Sequence, residues 1–302
     1  MTRAALVDRW RTPAGRSAAA GVLARLRAGA PLDRDAQGRA DLRGFVMPDT
    51  VPLDNVLAGV RLTDVDLSHA QLPGLVLERC VVTGCRFTGA NLRDWRVDTT
   101  MVSRSDFTRA VLTGAALGTG DPDRMNGWSE VTFTRADLRG CHPHQAYFDR
   151  CDFSSARLDG VEFHQCRITG TVFAGPLRRV VFDGRDLAGS PAAGPMRGVD
   201  FTGARLDDVE FRNCFLEDVS FPPGEVLAVP RFGPVAARVL AALEGDGSAA
   251  AGDLRWLLRD ITGNPWFEPG STGVFVRAVL RDIGGDDLAD LAFRIIAKCA
   301  AS

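Results

Sequence analysis

Large apolar residues recur at every fifth position over most of the chain. The clearest stretch is 131–175, which divides into VTFTR, ADLRG, CHPHQ, AYFDR, CDFSS, ARLDG, VEFHQ, CRITG and TVFAG. Its middle residues are Phe133, Leu138, Phe148, Phe153, Leu158, Phe163, Ile168 and Phe173, with Pro143 departing. The first residue of each block is small or β-branched, as at Ala136, Cys151 and Val161. A period of five fits neither a helix at 3.6 residues per turn nor a strand at 2. It fits a chain that turns a corner every five residues, burying two and exposing three.

The beat starts at Ala40-Asp41-Leu42-Arg43-Gly44, is rough through Pro52, and settles from Leu57 to Leu117. Trp95 occupies a small slot, which predicts a local bulge. Residues 118–130 (GTGDPDRMNGWSE) break the pattern and shift its phase, and further breaks fall at 174–179 and 190–198. Their Gly, Pro, Asp and Asn content predicts loops. Between the last two, blocks centre on Phe182 and Leu187 and place Arg185 in an inward slot. An unpaired charge there is costly, so the coil deforms or Arg185 swings out. The last run centres on Phe201, Leu206, Phe211, Leu216 and Phe221, and Pro222-Pro223-Gly224 stop it.

The two ends lack the beat. Ser17 is placed to cap a helix through Leu26, with Gly29 and Pro31 ending it. In 225–302 apolar residues recur at helical spacing around Val235–Leu243, Leu254–Ile261, Val274–Ile283 and Leu288–Ile296, predicting four short helices. The expected organisation is an N-terminal helical cap (1–39), a repeat coil (40–223) with loops near 118–130, 174–179 and 190–198, and a C-terminal helical segment (224–302).

Composition narrows the function classes. Net charge is −2, which gives no bulk argument for nucleic-acid binding. Residues 1–39 carry eight Arg against three acids, whereas 40–223 carry 20 Arg against 25 acids. Arg9, Arg11, Arg16, Arg25 and Arg27 therefore offer a basic arm as an alternative to a cap. There is no apolar leader and no apolar run long enough to span a bilayer, so a cytoplasmic protein with no membrane contact is expected. Cys80, Cys85, Cys141, Cys151, Cys166 and Cys214 share the small inward slot, and no pair is 20 residues apart. That spacing favours core thiols over disulfides or zinc ligands.

The blocks Ala90-Asn91-Leu92-Arg93-Asp94, Ala136-Asp137-Leu138-Arg139-Gly140 and Cys151-Asp152-Phe153-Ser154-Ser155 follow an A(D/N)LxX motif. In this the chain resembles the pentapeptide repeat family over about residues 40–223. The resemblance implies a mainly β fold, a right-handed four-sided β-helix with 20 residues per coil. Outward residues 20 apart then become neighbours. Asp66, Arg86 and Asp106 form one column, and Asp137 with Arg157 and Arg139 with Asp159 form two pairs.

Well-understood members of that family mimic DNA and bind type II topoisomerases, protecting against drugs or toxins. The acids of the final coils, Asp200, Asp207, Asp208, Glu210, Glu217 and Asp218, are the residues here that would serve DNA gyrase binding. Against this stand the 20 coil arginines. The favoured reading is a non-enzymatic interaction scaffold for a protein partner, with the acids, Trp128 and Arg185 as contact candidates. The C-terminal helices offer a homodimer interface. His142, His144, Glu162 and His164 fall together one coil apart and form a candidate metal or acid–base patch. The alternative is a solvated polar patch on a flat face. Trp256, Trp266, Phe267 and Phe275 fit either a pocket or core packing. No phosphate loop, Ser/His/Asp spacing or CxxC pair is present, and no cofactor is expected.

Overall fold

The computed structural model describes residues 2–48, 55–118, 125–185 and 194–301. Short parallel strands stack into a coil with four outward faces. One face is an eight-stranded ladder from Arg61–Thr63 to Leu216–Glu217. Leu62 pairs with Val82 and Val82 with Val102, steps of 20 residues. The middle residues of the blocks form apolar columns within. Phe87, Phe107, Phe133, Phe153, Phe173, Phe201 and Phe221 make one continuous stack, with ring centroids 4.6–5.4 Å apart.

The small slot carries a further rule. Where it holds cysteine or threonine, the side chain donates a hydrogen bond to the carbonyl of a middle residue in the preceding coil. Cys80 Sγ reaches the Leu57 carbonyl at 3.1 Å, Cys151 Sγ that of Trp128 at 3.3 Å, and Thr171 Oγ1 that of Phe148 at 3.3 Å. Trp95 is no bulge: it is 1% exposed, and its indole N–H donates to the Leu72 carbonyl at 2.9 Å. All seven cysteines are free thiols.

The interruptions differ from one another. Val102 pairs with Trp128, a step of 26, so six residues are inserted there. Asn126–Ser129, expected as loop, is a strand, and Trp128 takes a middle position at 0% exposure. The break at 174–179 is not a loop. Gly175–Arg178 is a strand paired with Ala204–Asp207. Phe163 pairs with Phe182, a step of 19, so one residue has been deleted and the coil closes around the gap. At the third break Met196–Arg197 is again a strand. Residues 119–124, 190–193, Leu187 and Pro52 lie outside the described residues.

Two helices precede the coil, α1 (Arg3–Arg11) and α2 (Pro13–Arg27). The capping residue of α2 is Thr12, not Ser17: its hydroxyl accepts from Gly15 N–H at 3.0 Å, and Pro13 occupies the first position. Leu23 and Leu26 join the coil's core, and Trp10 donates to the Arg43 carbonyl at 2.9 Å. Arg9 pairs with Asp41 at 3.0 Å and Arg25 with Asp33 at 2.9 Å.

After the coil come α3 (Phe232–Ala242), α4 (Ala249–Gly263) and α5 (Arg277–Ala300). Residues 274–276, expected as helix, instead form part of the strand Gly273–Val276, antiparallel to Val226–Val229. The β-branched Val274 and Val276 suit that pairing. Gly284 and Gly285 break α5 with non-helical dihedrals, where the sequence predicts a boundary. The helices have their own core around Val239, Leu254, Leu258 and Leu288. They are fastened to the last coil: Thr272 N–H donates to the Cys214 carbonyl at 2.8 Å, and Arg277 N–H to that of Glu225 at 2.8 Å. Among the described residues no helix is long and apolar enough to cross a membrane.

Candidate functional site

One face of the coil gathers three of the four histidines. Strands Glu162–His164, Val181–Asp183 and Glu210–Arg212 lie side by side in parallel. Phe163, Phe182 and Phe211 point inward and stack at 5.2 and 5.0 Å. Their neighbours therefore project outward in two columns. One is Glu162, Val181, Glu210; the other is His164, Asp183, Arg212. One coil earlier, His142 bridges to Ala116 on the same face. The His142 and His144 rings are 5.7 Å apart, as are those of His144 and His164. The four residues singled out from sequence are thus brought together.

Two residues join them that the repeat pattern did not assign to the patch. Asp183 Oδ2 lies 3.7 Å from His164 Nδ1. Its side chain is fully buried, and Arg185 holds it: Arg185 Nε donates to Oδ1 at 2.9 Å and Nη2 to Oδ2 at 2.5 Å. Burial alone would raise the Asp183 pKa, but the hydrogen bonds from Arg185 outweigh it and hold the carboxyl below its ordinary value. Arg185 therefore swings out of its inward slot to neutralise a buried acid. It is engaged internally, not presented as a free contact. Burial, and after it the neighbouring His164 and His142, pull the His144 imidazole below its usual range.

This face ends at a groove of about 580 Å³ between the last coils and the C-terminal helices. Arg185, Phe211 and Arg212 line it from the coil; Asp260, Trp266 and Ile283 line it from the helices. Asn213 fixes the mouth, its side chain donating to the Trp266 carbonyl and accepting from Glu268 N–H at 3.1 Å. Trp266 is 52% and Ile283 44% exposed. Of the aromatics considered from sequence, Phe275 is core, Trp266 and Phe267 line the groove, and Trp256 stands 62% exposed on α4. No periodicity marks Trp266 or Ile283 as groove residues, because the groove exists only once the helices dock.

The acids of the final coils do not form a strip. Asp200 continues the face of Val172, Asp207 that of Arg178, Glu210 that of Val181 and Glu217 that of Arg197. They are distributed around the perimeter. Glu210 pairs with Arg212 at 2.7 Å, Glu217 with Arg197 at 2.6 Å and Asp207 with Arg178 at 3.6 Å. Asp200 accepts from Thr202, and Asp208 and Asp218 occupy corners with positive φ. Trp128, proposed as a contact, is buried and donates to the Leu117 carbonyl at 3.0 Å.

The pentapeptide repeats family model matches residues 57–94 and 129–165, in eight copies. These stretches of the coil are pentapeptide repeats. This implies a right-handed β-helix, in keeping with the parallel ladders. No curated protein matches the chain. Among solved structures, the chain is similar to trypsin-treated QnrB1, a plasmid-mediated fluoroquinolone resistance protein. That match has a TM-score of 0.40 and 18% identity, and covers 60% of this chain and 82% of that one. HetL, a pentapeptide repeat protein involved in heterocyst differentiation regulation from Nostoc sp. strain PCC 7120, matches with a TM-score of 0.21 and 17% identity, covering 67% of this chain and 96% of its own. Rfr23 from the cyanobacterium Cyanothece 51142 matches with a TM-score of 0.25 and 11% identity, covering 56% and 92%.

Proposed function

We propose that this chain is a non-catalytic interaction module of the cytoplasm. In this reading the pentapeptide repeat coil is a stiff support, α1 and α2 cap its first turn, and a protein partner docks at the groove beside the C-terminal helices. The observation that carries the reading is the half-exposed pair Trp266 and Ile283 at the lip of that groove. Large apolar side chains kept in water beside a concavity mark contact sites, and tryptophan is the residue type most enriched in binding hot spots. Arg212 and Asp260 add charges of both signs at the rim, which suits a protein surface better than a polyanion.

The second reading, DNA mimicry toward DNA gyrase, needs a continuous column of unpaired acids. Here the acids of the final coils are spread over four faces and the corners, and three of the six pair with arginines. A supercoiling assay separates the two. The interaction reading expects no inhibition of gyrase by the purified protein. Inhibition that survives Trp266→Ala but is lost on neutralising Asp207, Asp208 and Asp218 would establish mimicry instead. Light scattering on the same samples reports whether the C-terminal helices pair two chains.

A further inference from the structure

The polar patch has a geometry that neither the repeat nor the groove requires. Glu162 and His164 are two residues apart on one strand, so both project from the same side. Asp183 faces His164 from the next strand. One donor atom from each of the three lies within 4.8 Å of the others. We propose that Glu162, His164 and Asp183, with His144 as fourth donor, bind a divalent transition-metal ion of the zinc class. This is independent of the interaction reading.

The donors match that class. Imidazole and carboxylate together suit Zn²⁺ and its neighbours, whereas Ca²⁺ and Mg²⁺ take oxygen donors throughout. Zinc holds such ligands at about 2.0–2.2 Å, which sets donor atoms about 3.3–3.6 Å apart around the ion. Side-chain rotation of Glu162 and His164 closes the remaining gap, while the paired strands keep the backbone fixed. His144 stacks one coil before His164, its ring 5.7 Å away, and swings in to complete a four-coordinate set. Arg185 fixes the Asp183 carboxylate, its Nε shared between Oδ1 and Oδ2 and its Nη2 on Oδ2, so that Oδ2 faces His164 Nδ1 at 3.7 Å and a bound ion would share that oxygen with the guanidinium. Ligand carboxylates are commonly oriented in this way by an outer partner. Two carboxylates against one guanidinium leave a net negative charge to attract the cation. The nearby Cys166 thiol takes no part, because it donates to the Pro143 carbonyl.

The test is calorimetric titration of chelator-treated, full-length protein with Zn²⁺, repeated with Co²⁺ while the visible absorption of a four-coordinate site is followed. The wild type is expected to take up one equivalent. His164→Ala and Glu162→Gln, both on the outward face, should weaken uptake at least tenfold, whereas His69→Ala, remote from the patch, should not. Circular dichroism confirms that the variants are folded, and Glu162→Gln decides if His164→Ala is not. No uptake by the wild type at submillimolar zinc, or uptake unchanged in both patch variants, overturns the proposal.

Discussion

The indole N–H of Trp95 donates to the carbonyl of Leu72 at 2.9 Å, the same bond that Cys80 makes to Leu57 and Thr171 to Phe148. These carbonyls lie inside the coil, away from water, and an unmet buried acceptor costs about 1–3 kcal/mol. Cysteine, threonine and one tryptophan in the small slot meet such a carbonyl in different ways, whereas the alanines and valines of other blocks fill the slot by size alone.

Thr100 shares its one hydroxyl hydrogen between two carbonyls and also accepts a bond. Its hydroxyl accepts from Cys80 N–H at 3.0 Å and donates to the Leu77 and Asp98 carbonyls at 3.3 and 2.9 Å. Thr100→Val keeps the shape and removes these bonds. It should destabilise by about 1–3 kcal/mol, read as a lowered urea midpoint, while Thr100→Ser should cost less.

The aromatic stack predicts a graded series. Phe153 sits mid-stack, with rings on both sides at 4.8 and 4.9 Å. Phe153→Ala should cost about 3–5 kcal/mol through lost burial and the cavity left behind. Phe221, half-buried at the end of the stack with one stacked neighbour at 5.4 Å, should cost less in the same measurement.

Arg185→Ala strands a buried carboxylate. Removing one partner of a buried pair typically costs about 3–5 kcal/mol, and denaturation at neutral pH would show it. The pH dependence follows from the lowered Asp183 pKa. The pair's contribution is present above the unfolded value of about 3.9 and is lost as pH falls through the native one. Arg185→Ala should therefore flatten the acid limb of the stability profile. An unchanged limb would mean that the pair contributes little.

The buried thiols govern the alkaline limb. Burial pushes Cys85 up to about 11, and Cys141, Cys151, Cys166 and Cys214 up to about 12. Unfolded thiols ionise near about 8.5 while the native ones stay protonated, so stability holds below that pH and falls as pH rises toward the native values. Cys151→Ser, which cannot ionise in this range, should shallow the decline. Alkylating reagents at pH 8 should label the native protein slowly and the urea-unfolded protein fast.

The repeat coil was legible because its period is carried by nearly every block, from Leu57 to Phe221. What escaped was local. A one-residue deletion leaves the sequence looking like a loop at 174–179, although the ladder closes over it from Phe163 to Phe182. The same deletion places Asp183, not a residue 20 further on, against His164, so its part in the patch could not be counted out. Trp95 exceeds the volume expected of its slot, because the hydrogen bond that accommodates an indole there forms only across coils. The strand Gly273–Val276 and the groove depend on how the tail docks, and helical periodicity says nothing about docking. His142, His144, Glu162 and His164, by contrast, came together as their spacing implied.

The central claim is that partners bind at the Trp266–Ile283 groove. The most direct measurement places a photoactivatable residue at position 266 and, as control, at position 101 on the flat eight-stranded face, and compares cross-links formed in cells. The account predicts a discrete adduct from position 266 that is abolished by Ile283→Asp and absent from position 101. Equal cross-linking from both positions, or none from 266, would contradict it.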